Sequence, residues 1–140
     1  MSRSYPDRPV FGVGALVFDG DNVLLVKRGR APRQGQWSLP GGAQKLGETA
    51  EQALVREVRE ETGLDVAVER LETLVDIIDN DEDGKARHHY TVADYRCRVT
   101  GGTLAAGGDA AEARWVAVAD LGGYDLTPKA KDVITAAWKR

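Results

Sequence analysis

Apolar positions along the chain fall in short runs separated by turn signals, and their period changes from one segment to the next. Val10 to Phe18 is an apolar run that includes Gly12 and Gly14, the pattern of a buried strand. Asp19, Gly20, Asp21 and Asn22 form a dense turn signal before the run Val23 to Val26, so the two runs predict a hairpin. Arg28 to Gln36 is basic and polar, a loop feeding a short extended piece, Trp37 to Leu39, and a tight turn at Pro40, Gly41 and Gly42. Thr49 followed by Gln52 fits a capping box, and Gly63 fits the left-handed residue just past a helix end, which frames a helix from Ala50 to Thr62. Val66 to Ile78 predicts a strand and Asp79 to Gly84 an exposed acidic loop. Tyr90 to Val99 alternates Ala93, Tyr95, Cys97 and Val99 against Asp94, Arg96 and Arg98, a second strand. Gly101 to Gly108 predicts a turn or loop, Arg114 to Val118 a short strand, and Thr127 with Pro128 the N-cap and first turn of a last helix. That helix carries Val133, Ile134, Ala137 and Trp138 on one face. Together these elements predict a mixed sheet with helices over its faces, an α/β sandwich.

Length limits this arrangement to one domain: 140 residues, 42% of them apolar, suffice for one core and not for two. The domain is expected over residues 1–140, with 1–9, which hold Pro6, Pro9 and several charges, as a loose leader. A net charge of -3, with both signs mixed along the chain, gives no broad basic field, so no nucleic-acid partner is expected. Charges interrupt every hydrophobic run, so no membrane span is expected either. The lone Cys97 cannot form an internal disulfide, and the start does not read as a signal peptide. The expected compartment is therefore cytoplasmic.

Placing the first helix on a wheel changes the picture from fold to chemistry. Ala50, Ala53, Leu54 and Val58 share one arc, with Glu57, Glu60 and Glu61 in or beside it, while Gln52, Arg56 and Arg59 point away. Partly enclosed carboxylates within one helical turn repel one another and lose hydration, an arrangement a divalent cation relieves. Oxygen-only donors favour Mg²⁺, or Mn²⁺, over zinc. The alternative from the helix alone is an ordinary solvated acidic face.

The segment from Gly42 to Leu64, GAQKLGETAEQALVREVREETGL, resembles the Nudix box, with Gly42, Glu48, Arg56, Glu57, Val58, Glu60, Glu61, Gly63 and Leu64 at its fixed positions. The preceding Trp37-Ser38-Leu39-Pro40-Gly41 also looks like the approach to that box. The resemblance implies the Nudix-type α/β/α sandwich with a mixed β-sheet. It also implies a hydrolase in which water attacks a phosphorus of a nucleoside diphosphate derivative. Carried over position by position, it makes Glu57, Glu60 and Glu61 both catalytic residues and metal ligands, with the Gly41 carbonyl as a further ligand of Mg²⁺. Bound cations would polarise the phosphates and acidify water. Glu57 is the first choice among the helix acids for activating that water, and Arg56 takes a supporting role, pairing with Glu48 or an acid of the box.

Family members are similar in drawing one more acid from a loop beyond the box. Glu112 and Asp109 are the candidates here, with Glu112 preferred as a catalytic residue because it directly precedes the strand from Arg114. Arg28 or Arg30 for a phosphate, Trp37 for stacking on a base, and His89 or His88 for phosphate or base are the candidate substrate contacts. Each has a plainer alternative as a solvated or core residue.

For the substrate, a proline about fifteen residues past the box, which marks one group of ADP-ribose pyrophosphatases, is replaced here by Asp79. The tyrosine associated with dinucleoside polyphosphate enzymes is missing across Asn80, Asp81 and Glu82. Gly107-Gly108-Asp109 and Glu112-Ala113-Arg114-Trp115-Val116 are nonetheless similar to proteins grouped with ADP-ribose pyrophosphatases. The expected partner is a small nucleotide, ADP-ribose favoured, with a MutT-like triphosphate pyrophosphatase as the alternative and a non-catalytic nucleotide-sensing module ranked third. A homodimer contact through the leader and first hairpin is the one protein partner considered.

Overall fold

A computed structural model describes residues 4–31 and 33–139. Its strands are β1 (Val10–Asp19), β2 (Asn22–Arg28), β3 (Trp37–Ser38), β4 (Gly41–Ala43), β5 (Leu64–Asn80), β6 (Ala86–Gly102) and β7 (Ala110–Ala117). Two α-helices, α1 (Ala50–Thr62) and α2 (Ala130–Trp138), and a 3₁₀ turn at Val118–Gly123 complete it. The sheet runs in the order β3-β2-β1-β6-β5, with β4 paired to β1 and β7 to β2. β1 and β6 are parallel, and β5 and β6 are antiparallel, so the sheet is mixed.

The strand that organises the molecule is β1. Its first half pairs with β4, Gly12 opposite Ala43 and Gly14 opposite Gly41, and its far end pairs with β2 through the tight turn after Asp19. Side chains alternate across it. Val13, Ala15 and Val17 pack with Leu54 and Val58 of α1, while Leu16 packs with Ile134 and Ala137 of α2. Each helix therefore covers one face, and the expected α/β sandwich is the observed architecture. At roughly 25 cal/mol per Å² of apolar surface, these fully buried Leu, Ile and Val side chains stabilise the fold by about 1.5–3 kcal/mol each.

Helix α1 forms where its sequence signals place it. The Thr49 hydroxyl accepts from the Gln52 amide at 3.1 Å, the Gln52 side chain accepts from the Thr49 amide at 2.9 Å, and Gly63 ends the helix at φ 75°. Several other boundaries differ from expectation. Gly41 and Gly42, expected with Pro40 as a tight turn, open the strand Gly41–Ala43, because the two glycines without Cβ atoms can lie directly against β1. β5 and β6 extend through Asn80 and from Ala86, leaving only the turn around Asp81–Gly84, and β6 also takes in Gly101 and Gly102. β7 begins at Ala110, so Glu112 lies within a strand, while Val118 starts the 3₁₀ turn. The last helix starts at Ala130: Thr127 supplies a backbone carbonyl to Ala130 rather than a side-chain cap, and Lys129 occupies the preceding position at φ 72°. The Lys129 ammonium instead reaches the Asp76 carbonyl on β5, which ties the helix start to the sheet. Near the start of the described chain, the Tyr5 amide donates to the Arg87 carbonyl at 2.7 Å.

Candidate active site

Gly41 and Gly42 are the hinge on which the site is built. A Cβ at Gly41 would lie 2.0 Å from the Val13 carbonyl oxygen, and one at Gly42 would lie 2.7 Å from the carboxyl carbon of Glu57. At Gly41 the close atoms are backbone, so only glycine permits this approach to β1, whereas at Gly42 they are the end of the Glu57 side chain. The Gly41 amide donates to Glu61 Oε1 at 2.8 Å, so the strand turn and the helix are joined through a carboxylate.

The expected inward acids differ in depth. Glu61 is 8% exposed, and burial pushes its carboxyl up to about 8, against the lowering effect of the Gly41 amide, with the Glu57 charge adding to the rise. Burial also raises Glu57 above the usual carboxylate range, opposed by Arg56. The Glu60 side chain is half exposed. Arg56 does not point away as its place on the wheel suggests: its long side chain folds back beneath the helix acids. Its Nε donates to Glu48 Oε2 at 2.6 Å and its Nη2 to Glu48 Oε1 at 2.9 Å, a two-pronged pair. Nη1 bonds Glu57 at 2.9 Å and Glu60 at 3.3 Å, and Nη2 also reaches the Ala43 carbonyl. The Arg56 hydrogen bonds hold the Glu48 carboxyl down to about 2.

Among the described residues no three acid, histidine or cysteine side chains already converge around a point where an ion could sit. The donor set still suits a hard cation. Two carboxylates raised mainly by their burial, one of them against the space that a Cβ at Gly42 would fill, are the donors here, and among the described residues no sulfur or imidazole is among the groups that shift them.

Of the candidates outside the helix, Arg28 is close enough for its charge to lower Glu61, and Asp109 close enough to raise both Glu57 and Glu61. The loop carrying Asp109 is brought there by the Gly107 amide, which donates to the Glu61 carbonyl at 3.2 Å. Arg30 pairs with Asp109 at 3.0 Å. Glu112 stands opposite Lys27 on β2, pairing with it at 3.4 Å and with Arg114 at 3.0 Å. Trp37 is buried in the α2-side core, its ring edge on Tyr124 at 5.3 Å and the Arg114 guanidinium over it at 5.0 Å. His89 pairs with Ile78 on the β5–β6 hairpin, five positions along β6 from Asp94, which is roughly 17 Å at strand spacing. His88 contacts Asp79 at 3.1 Å and Ser4 at 3.4 Å.

Sequence reasoning missed Asp94. The alternation in β6 grouped it with Arg96 and Arg98 against the apolar positions, but α2 covers that face, and Asp94 is only 4% exposed. Arg96 escapes the same fate as an unpaired charge by bonding Glu72 at 3.0 Å and the Ala137 carbonyl at 2.5 Å. The signal available in the sequence was the small residue opposite, Gly14, which makes room for the carboxyl.

The NUDIX domain model matches residues 8–137, and the chain belongs to that family. It is 37% identical over 107 residues to the ADP-ribose pyrophosphatase of Methanocaldococcus jannaschii, a match covering 76% of this chain and 61% of that protein. It is 35% identical over 120 residues to a Mycobacterium tuberculosis protein provisionally named 8-oxo-dGTP diphosphatase 2, covering 83% of this chain and 79% of the relative. Among solved structures, a MutT NUDIX hydrolase from Burkholderia pseudomallei superposes with a TM-score of 0.78 at 32% identity, covering 92% of this chain and 98% of that one. No helix among the described residues is long and apolar enough to cross a membrane.

Proposed function

We propose that this chain is a Mg²⁺-dependent pyrophosphohydrolase that cuts the diphosphate link of a nucleoside diphosphate derivative, with ADP-ribose the favoured substrate. The observation that carries the proposal is the meeting of the Glu57 and Glu61 carboxylates at Gly41 and Gly42 of β4, with Arg28 and Asp109 within electrostatic reach. Glu57, Glu60, Glu61 and the Gly41 carbonyl would hold the cation, Mg²⁺ or Mn²⁺. When bound, it supplies phosphate polarisation and a more acidic water.

The chain's own groups divide the remaining work. Arg28 sets a phosphate against the acids, and Arg56 holds Glu48, Glu57 and Glu60 in fixed orientations as a positioning residue. Water attacks one phosphorus and the bridging P–O bond breaks. The proton of the water passes to a carboxylate, and two phosphomonoesters leave. Both candidate acids are ion-paired, Asp109 with Arg30 and Glu112 with Lys27 and Arg114, and Asp109 suits the role of loop acid better because its field reaches Glu57 and Glu61. The likeness to the M. jannaschii enzyme supports ADP-ribose, and the domain is taken to span residues 1–140. The lone, buried Cys97 suits a reducing, cytoplasmic setting.

The test is product analysis by phosphorus NMR on ADP-ribose, nucleotide sugars, dinucleoside polyphosphates and ordinary or oxidised triphosphates, each with Mg²⁺, Mn²⁺ or chelator. Metal-dependent release of AMP and ribose 5-phosphate from ADP-ribose is the expected result. Release of pyrophosphate from a triphosphate instead would establish the MutT-like reading, which the M. tuberculosis relative favours. Nucleotide binding without cleavage of any substrate would overturn hydrolysis and leave a sensing module.

A further inference from the structure

Helix α1 covers only part of its own face of the sheet. Strand register shows which side chains share that face: Ala15, Tyr95 and Leu71 stand side by side across β1, β6 and β5, as do Val13, Ala93 and Leu74, then Phe11, Thr91 and Asp76, with Ile78 opposite His89. Val13, Ala15 and Cys97 are buried against α1. Along β5 and toward the β5–β6 turn the face is bare, with Phe11 36%, Leu71 49%, Leu74 60% and Ile78 56% exposed. Asp76, the acid that interrupts this stripe, accepts the Thr91 hydroxyl at 3.3 Å. At the other end lies a groove of about 430 Å³ between α1 and β5, walled by Val55, Val66 and Val68. The face therefore has an apolar shelf at one end and an apolar groove beside a helix at the other.

Strand addition at the edge of β5 is obstructed, because Lys129 already binds the Asp76 carbonyl. A partner has to sit on the face. From Val66, opposite Val99, to Ile78, opposite His89, the stripe spans ten positions of β6, which with three strands' width is roughly 33 Å by 14 Å. That is about 500 Å² a side, and two such sides reach the roughly 1,000 Å² in total that a specific interface needs. We propose that this face is the contact of a two-fold homodimer, in which a second copy of the chain lies across it with β5 antiparallel to β5 and the axis at Leu74. The pattern is self-complementary about that point. Leu74 faces Ala93, four positions from Cys97, which faces Val68 in the groove, and four from His89, which faces Ile78. The two-fold thus sets Leu74 against the partner's Leu74, puts Ile78 at the partner's groove, and lays each α1 over the other copy's shelf around Phe11. Apolar side chains that are exposed in one copy are covered in two. The inference stands independently of substrate and of hydrolysis.

The test is sedimentation equilibrium on the whole chain as wild type, Leu74→Lys and Ile78→Asp, with circular dichroism to show that each is folded. Wild type should be a dimer. Leu74→Lys, which sets two ammonium groups face to face at the axis, and Ile78→Asp should each weaken it by at least about tenfold. Leu74→Cys should form a disulfide-linked dimer on mild oxidation, whereas Glu82→Cys, exposed on the turn and far from the axis, should not, and Cys97 is buried and does not compete. A monomeric wild type, or a dimer that Leu74→Lys leaves intact, would overturn the proposal. Monomeric wild type that binds phospholipid vesicles, and loses that binding in Leu74→Lys, would overturn it in favour of a lipid surface.

Discussion

Glu61 and Asp94 are both buried acids beside glycines, on opposite faces of the β1–β4 pair, with carboxyls pushed up to about 8 and about 7. Their surroundings differ. Glu61 accepts the Gly41 amide and feels Glu57, Arg28 and Asp109, whereas Asp94 is raised by burial alone. A crowd of acids with an amide donor suits a small cation, whereas a solitary carboxyl raised by burial alone has no neighbouring acid with which to share one. The same perturbation therefore does not by itself mark a metal site, and the neighbours decide whether it does.

The sharpest way to break this contrast is Glu61→Gln. Turnover of the substrate should fall by roughly 10²–10³, the scale of losing one electrostatic contact to the reacting groups, while thermal stability in chelator holds or rises. A kcat/KM within a few-fold of wild type would place Glu61 with the structural acids. Arg56→Ala should come next, destabilising by about 2 kcal/mol in urea unfolding because Glu48, Glu57 and Glu60 lose a half-buried charged partner together. Arg56→Lys should recover only part of this, since an ammonium cannot make the two-pronged contact to Glu48.

The pH dependence of the metal-free protein follows from the sign of the two shifts. Both carboxyls bind protons more tightly folded than unfolded, so the stability they contribute is fully present below their ordinary values near 4. It is lost as pH rises through about 7 for Asp94 and about 8 for Glu61. The melting temperature in chelator should therefore fall from pH 5 to pH 9. Asp94→Asn should flatten the part of the fall between about pH 4 and pH 7, and an unchanged profile in that variant would show that Asp94 titrates normally. The smallest effect expected is that of Thr49→Ala, about 1 kcal/mol of stability through the lost cap, with kcat unchanged, measured by denaturant unfolding and steady-state kinetics.

How far the sequence reached depended on whether a signal was local. The ends of α1 were legible because Thr49, Gln52 and Gly63 act within a few residues of themselves, and the acids were legible because helical period places them. The start of α2 was not: Thr127 and Pro128 look like a cap and first turn, yet the Lys129 side chain is drawn to β5, and that contact lies 53 residues away in sequence. The wheel alone pointed Arg56 outward for a similar reason, although the resemblance paired it with Glu48 or an acid of the box, as it is in the structure. A wheel fixes the direction of Cβ but not the path of a guanidinium that can fold back to Glu48, eight residues away. The burial of Asp94 was not legible because alternation alone cannot tell a sheet with one wet face from one covered on both sides. Glu112 and Asp109 are three residues apart, and only the contact of Gly107 with the end of α1 distinguishes which of them approaches the acids.

The central claim, that the carboxylates gathered at the Gly41 turn hold a divalent cation for hydrolysis, is tested most directly by titrating Mn²⁺ into the protein with AMP present and following the free-ion signal by electron paramagnetic resonance. Wild type should remove Mn²⁺ from solution saturably, and Glu61→Gln and Glu57→Gln should each weaken binding by at least about tenfold. Equal Mn²⁺ uptake by wild type and both variants would contradict the account and move any metal site away from α1.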